Sequence, residues 1–244
     1  MKTSLKSALV LVFVGGGAGH AAAQSIAVSI GVRETGSVQP LGQDGGTSGG
    51  IEWVNRDLNV VALDGTWQQV SFNLSNAQLL AFAGLTANSL WDGTRGVLEH
   101  IRLRNTDGLT APLRLYIDDL VLTGPGQPNF TDGWEGAAAG AEHIFRDPGF
   151  SGSTNANMFP GSSSAVTGAV ARTGAQSYEM NLQFVDNDPT RWARVQTFDT
   201  ITGGNPTVDF GGTVSFWMRG EVVPAPGAAL VLVAGVAGMG RRRR

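Results

Sequence analysis

Short segments of alternating apolar and polar residues recur along this chain, and this period of two constrains its fold more than any other feature. Successive side chains of a β-strand point to opposite faces, so the alternation predicts strands with one face against a core. No segment sustains a helical period, and 35 glycines favour many turns. We predict one helical turn at 76–82 and strands at 25–35, 51–54, 67–74, 97–104, 113–123, 142–145, 165–170, 177–185, 192–198 and 207–219.

Many short strands joined by glycine-rich turns predict an all-β protein, a β-sandwich or jelly roll. One arrangement is a single sandwich over residues 24–222. The alternative is two small sandwiches, 24–124 and 127–222, divided by the Pro-Gly-Gln-Pro sequence that begins at Pro125.

The segments GTWQQVSFNL and LRLYIDDLVL, at 65–74 and 113–122, resemble strands of galactose-binding-like and related carbohydrate-binding jelly rolls. In those folds such strands come late in the chain, whereas here they come early. The resemblance therefore implies a circularly permuted jelly roll in which both halves of the chain build one sandwich.

Residues 1–23 have the three parts of a secretory signal peptide. Two lysines supply the basic start, a short apolar run follows, and Ala21 and Ala23 satisfy the small-residue rule for cleavage. We expect signal peptidase to remove this segment, so that the mature chain begins at Gln24. A retained membrane anchor is the alternative, and the shortness of the apolar run argues against it.

Residues 223–244 read VPAPGAALVLVAGVAGMGRRRR. Pro224 and Pro226, with Ala225 between them, prevent a helix from continuing through the junction. The apolar run of about 14 residues rises only about 21 Å as a helix, less than the ~30 Å hydrocarbon core. Charged side chains cross lipid at high cost, so the terminal arginines stay on the cytoplasmic side of a short transmembrane segment. These are Arg241, Arg242, Arg243 and Arg244.

The order and position of these parts closely resemble the PEP-CTERM sorting signal of Gram-negative bacteria, with Ala225 in place of the central glutamate. In that family an exosortase-type membrane protease is thought to process the tail. The resemblance implies transient anchoring in the inner membrane, then display at the cell surface or release outside the cell. Because the tail follows the strand at 207–219 almost directly, we expect the chain to leave from an edge of the sandwich.

The two targeting segments conceal the charge of the chain between them. They hold six of the 17 basic residues and none of the 20 acidic ones, which leaves 11 basic residues against 20 acidic and a net charge of −9. This balance argues against nucleic acid or anionic lipid as a partner of the body. The chain has no cysteine, which excludes disulfides, thiolate nucleophiles and cysteine-bound zinc.

Few residues are suited to catalysis. His100 and His143 are the histidines outside the signal segment, and we interpret both as surface side chains. A glycosidase requires two carboxyl groups about 5–10 Å apart. Four glutamates lie on or beside predicted strands, and nothing in the sequence pairs any two of them: Glu52, Glu99, Glu142 and Glu179. We therefore predict a non-catalytic protein without a required cofactor.

Acidic residues are candidates for Ca²⁺, which binds carboxylate oxygens. Two acidic pairs are close enough in sequence to share an ion, Asp118 with Asp119 and Asp186 with Asp188. The alternatives are a solvent-facing strand position for the first pair and a turn for the second.

Exposed tryptophan rings stack on sugars. Three tryptophans beside glycine-rich turns are expected to be exposed and to contact a ligand: Trp53, Trp91 and Trp134. The other three, Trp67, Trp192 and Trp217, lie in alternating segments and are assigned to the core.

The leading hypothesis is an exported surface or extracellular-matrix protein that binds glycan or a partner protein within an exopolysaccharide or biofilm matrix. The second is a purely structural matrix protein, and the third is a glycan-active hydrolase. The targeting segments, the all-β pattern and the lack of a catalytic constellation rank them in this order.

Overall fold

The computed structural model describes residues 24–35, 49–125, 129–197 and 205–224. Its strands form two antiparallel sheets, which confirms the predicted all-β class, and helix is limited to short turns. The strands are β1 Ser25–Arg33, β2 Ile51–Ala62, β3 Asp64–Asn73, β4 Leu79–Ala83, β5 Arg95–Arg104, β6 Leu113–Thr123, β7 Phe130–Asp132, β8 Ser163–Thr167, β9 Ser177–Leu182, β10 Trp192–Gln196, β11 Thr207–Asp209 and β12 Thr213–Val222. The helical turns are two 3₁₀ helices, Leu74–Asn76 and Pro148–Phe150, and α1, Gly152–Asn155.

The first sheet, sheet I, has the strand order β10–β5–β1–β2–β4. β11 pairs with the start of β5 and β10 with its end, so these two short strands follow one another along one edge. The second sheet, sheet II, has the order β3–β12–β6–β9–β8, with β7 also paired to β6. In both sheets, strands that precede Pro125 bond to strands that follow it, as β5 does to β10 and β6 to β12.

The core lies between the sheets, which pack as a β-sandwich. β1 contributes Ile26, Val28, Ile30 and Val32, the residues that its alternation predicts, and these meet apolar side chains of sheet II in one continuous cluster. Burying each such side chain stabilises the fold by about 1.5–3 kcal/mol. β12 contributes alternate residues to the same core: Val214, Phe216 and Met218.

Three local predictions are wrong. Residues 76–82 are not a helical turn, because the 3₁₀ helix ends at Asn76 and β4 pairs with β2. Residues 142–145 form isolated bridges instead of a strand. The strand predicted at 207–219 is two strands in different sheets, since the chain turns at 210–212. There the Gly212 backbone lies so close to the Thr123 carbonyl that no side chain fits.

The expectation that the chain leaves the sandwich from an edge is also wrong. β12 lies inside sheet II, between β3 and β6, and the Val223 N–H then donates to the Pro112 carbonyl at 2.8 Å. Pro224 is exposed. The rest of the predicted sorting tail lies outside the described residues: Ala225, Pro226, Arg241, Arg242, Arg243 and Arg244.

The predicted signal segment, with Ala21 and Ala23, likewise lies outside the described residues. Gln24 is described and exposed, and its carbonyl accepts the Leu63 N–H at 2.7 Å. Within the described ranges, no helix has both the length and the apolar character needed to cross a bilayer.

Candidate functional site

β1 is buried on both faces, although its sequence predicts burial on one. The outward positions of this central strand are small: Ala27, Ser29 and Gly31. Long side chains from neighbouring strands cross over them. The His100 ring occupies the space where a Cβ of Gly31 would lie, and Arg102 reaches the Ser29 hydroxyl at 3.4 Å. The small side chains of β1 thus make room for a polar and aromatic layer on the outer face of sheet I.

A β-bulge in β5 brings two functional groups into this layer. Gly31 pairs with His100 and Val32 with Leu98, so Glu99 is an extra residue without a partner on β1. Its carboxylate contacts His100, accepts the Gln196 amide at 2.8 Å and lies 3.6 Å from Arg194. Such bulges redirect side chains, and here Glu99 and His100 share the outer face.

Aromatic rings and guanidinium groups alternate across the same face. Trp53 stacks on Phe82 with centroids 4.3 Å apart, and Trp192 meets Trp53 edge-on at 5.7 Å. The Arg102 Cζ lies 4.7 Å from the Trp53 centroid and 5.6 Å from that of Trp192. Arg194 lies over Phe82 at 5.1 Å. We call this set the outer-face cluster; it consists of Trp53, Phe82, Glu99, His100, Arg102, Trp192 and Arg194.

Hydrogen bonds fix the tautomer of His100. The Trp53 Nε1–H, which can only donate, points at His100 Nε2 at 3.0 Å. Nε2 therefore accepts, and Nδ1 carries the proton that is shared with Glu99. Both ring nitrogens are engaged, so His100 cannot take up another proton without breaking the bond to Trp53. The interpretation of His100 as a surface side chain is wrong, because the residue is fully buried.

Burial and neighbouring charges set the ionisation of this pair. Burial lowers the pKa of His100, Glu99 opposes this effect, and Arg194 and Arg102 add to it. Burial alone raises the pKa of Glu99, but His100, Arg194 and Gln196 outweigh it and hold the pKa below its ordinary value of 4.5. At neutral pH the pair is an ionised carboxylate bonded to a neutral imidazole.

This ionisation predicts that the free energy of unfolding falls as the pH drops below about 6.5, the ordinary histidine pKa. The pKa of His100 is lowered in the fold, so the unfolded chain takes up this proton first and acid favours unfolding. Glu99, whose pKa is also lowered, acts in the same direction below pH 4.5. Urea unfolding at several pH values measures the slope, to which His100 contributes up to about 1.4 kcal/mol per pH unit.

The matched control for this prediction is the other histidine of the body. The slope between about pH 7.5 and about pH 5.5 should shrink in His100→Gln and persist in His143→Gln, because the second change leaves the bonds of His100 intact. Equal slopes in wild type and His100→Gln would show that His100 is not held neutral.

His143 is half-buried, and its Nε2 lies 2.8 Å from Asp132 Oδ2. The four glutamates that were candidates for catalysis lie on separate segments, and each is bonded to other groups of the chain. The Glu52 carboxylate accepts the N–H groups of Asn88 and Ser89 at 2.7 and 3.1 Å, and so holds that loop. Glu99 belongs to the cluster, Glu142 accepts the Asp147 N–H, and Glu179 on β9 accepts the Asn181 amide.

The acidic residues that were candidates for calcium bond to the chain itself. Asp118 is buried and accepts the N–H groups of Arg172 and Thr173, and burial raises its pKa. Asp119 pairs with Arg172 at 2.6 Å. Asp186 pairs with Arg191 at 2.6 Å, and Asp188 accepts the Thr190 N–H and hydroxyl. Among the described residues, no three or more His, Cys, Asp or Glu side chains converge to hold a metal. The calcium assignment stays a prediction.

The three tryptophans expected to be exposed lie in three different environments. Trp134 is fully buried and Trp53 is only 8% exposed, so the expected exposure is wrong for both. Trp91 is half-buried, stacks on Phe210 at 4.2 Å and donates its Nε1–H to the Leu74 carbonyl at 3.0 Å. Only Trp53 belongs to the outer-face cluster.

Four residues of the outer-face cluster were not sequence candidates: Phe82, Arg102, Arg194 and Trp192, which was assigned to the core. Trp192 is half-buried on the outer face, because Ala193 and Val195 take the inward positions of β10. The alternation of Trp192, Arg194 and Gln196 with these two apolar residues was the available signal.

No family model matches the chain, and no curated protein or solved structure is significantly similar to it.

Proposed function

We propose that this protein is exported to the cell surface or extracellular matrix and binds glycan there, without catalysis, through the outer-face cluster. One observation carries the proposal: half-buried aromatic rings, Phe82 and Trp192, lie beside guanidinium groups on the face of a rigid sheet. Sugar recognition combines these two elements, since aromatic faces pack on C–H groups while charged and polar groups bond to hydroxyls.

The cluster is preorganised for binding. Trp53 is held by His100, and His100 by Glu99, so the central ring cannot rotate freely. A side chain that is already fixed loses little conformational entropy when a ligand binds. The same bonds engage both His100 nitrogens, which favours binding over acid–base chemistry at this position.

The proposed location rests on the two ends of the sequence. A signal peptide at 1–23 and a PEP-CTERM-like tail at 223–244 direct the protein through signal peptidase and an exosortase-type protease, with transient anchoring in the inner membrane. We also propose that the β-sandwich is a jelly roll whose strands follow a circularly permuted order.

A glycan array with the full-length protein tests the binding. We expect Trp192→Ala to weaken binding to the preferred glycan at least tenfold, because a lost ring contact is worth about 1.5 kcal/mol or more. The control is Trp217→Ala, which removes a half-buried tryptophan from the outer face of sheet II, where it packs under Arg172 at 3.7 Å.

The control variant should bind like wild type. Binding to no glycan would favour the structural-matrix alternative or a partner protein. Glycan hydrolysis that is lost in a Glu→Gln variant of Glu52, Glu99, Glu142 or Glu179 would instead support the hydrolase.

A further inference from the structure

Positive charge is concentrated on the outer face of sheet I. Five of the 11 arginines between the targeting segments lie there, and the carboxylates that pair with them are Asp57 and Glu99. The arginines are Arg33, Arg56, Arg102, Arg104 and Arg194. The net charge of −9 averages over the whole body and conceals this face.

Three arginines of this face reach solvent, Arg33, Arg56 and Arg104, whereas Arg102 and Arg194 are about as buried as the two carboxylates. Asp57 bonds to Arg102 and Arg104 and its side chain is 16% exposed; that of Glu99 is 5% exposed. Burial raises the pKa of Asp57, but the two arginines outweigh it and lower the pKa, so the carboxylate is ionised and paired. Arg56, by contrast, is 45% exposed and lies 3.8 Å from Asp57. A ligand therefore meets guanidinium groups before it meets carboxylates.

Apolar side chains continue the face beside these cations. Leu58 and Val60 on β2 are each 58% exposed, and Val60 pairs with Ala27, an outward position of β1. The face thus combines exposed apolar surface, two half-buried aromatic rings and exposed cations. A sugar that has apolar C–H faces and carries a carboxylate group would complement all three features.

We infer that the ligand of this face is an acidic polysaccharide whose sugar rings carry carboxylates, such as a polyuronate. This inference rests on the proposed glycan binding and names its ligand class. Charges beyond about 8 Å are screened at physiological ionic strength, so the acidic remainder of the body does not cancel the local attraction.

The test compares one polymer in two charge states. Full-length protein is titrated with polygalacturonate and with its methyl ester, which has the same backbone and lacks the charges. We expect the ester to bind at least tenfold more weakly. Raising the salt should weaken only the binding to polygalacturonate.

Two arginine variants separate this face from net charge. Arg56→Gln should weaken polygalacturonate binding at least threefold. Arg114→Gln removes an equally solvent-exposed arginine from sheet II, where it lies near Glu179 and Glu221, and should leave binding unchanged. Equal losses in the two variants would overturn the assignment to sheet I.

The remaining outcomes distinguish the inference from the proposed function. If polygalacturonate and its methyl ester bound equally well, and Trp192→Ala abolished both, the proposed glycan binding would stand. The inference that the ligand is anionic would be overturned. No binding of either polymer or of any neutral glycan would overturn both. Equally tight binding of a single-stranded oligonucleotide, or self-association that depends on Arg56, would replace the polysaccharide with another occupant.

Discussion

Trp134→Ala should lower the free energy of unfolding by about 3–5 kcal/mol, the range typical of removing a large aromatic side chain from a core. The indole is fully buried and stacks on Tyr178 and Phe145 with centroids 5.9 and 6.5 Å away. Its Nε1–H donates to the His143 carbonyl at 3.3 Å. Alanine would leave a cavity and remove this hydrogen bond, although the His143 carbonyl still accepts the Phe145 N–H at 2.7 Å. Urea unfolding measures the loss.

This effect is expected to be large because Trp134 is the largest of the buried side chains that attach the segment between β7 and β8 to the core. Between β7 and β8 the chain forms no strand, and four buried side chains attach it to the core: Trp134, Ile144, Phe145 and Met158. Trp217→Ala, the same change at a half-buried position, is the matched control and should cost clearly less. Similar losses in the two variants would mean that the segment is not anchored through Trp134.

Gly31→Ala should cost about 2–4 kcal/mol, although glycine-to-alanine changes in strands usually stabilise. The new Cβ would lie closer than 3.0 Å to the His100 ring. His100 must then move, and its bonds to Trp53 and Glu99 break, which leaves buried polar groups unpaired. Urea unfolding measures this cost, and tryptophan fluorescence reports the displacement of Trp53.

Two comparisons make the Gly31 prediction specific. Gly136→Ala adds a methyl group where no atom lies within 4 Å and should change stability by less than about 0.5 kcal/mol. In a His100→Ala background the clash is absent, so adding Gly31→Ala should cost little more. A full additional loss in that background would place the strain somewhere other than the ring.

Alternation was sufficient to predict the class of fold and most strands. β6 runs over Leu113–Thr123, the residues predicted, although a bulge shifts its alternation by one residue at Asp119. At 210–212 the apolar alternation on either side outweighed the turn signal of Gly211-Gly212, and one predicted strand became two in different sheets.

The candidate site was predicted less well than the fold, for a physical reason. Proximity to glycine-rich turns indicated exposure for Trp53 and Trp134, but burial depends on what the rest of the fold places over a ring. The bulge at Glu99 also changes which side chains share a face, and it is visible only in the pairing with β1. The small outward residues of β1 were a usable signal, because such a row accommodates large side chains from the strands beside it.

The interior position of β12 has a mechanical consequence. Its ladders with β3 and β6 run along both sides of the strand up to the point where the chain continues into Pro224. A pull transmitted through the C-terminal segment acts along the strand axis, so both ladders bear the load together in shear. A strand at the edge would peel away one bond at a time. The sandwich is therefore built to resist extension from the end at which the proposed sorting tail would tether it.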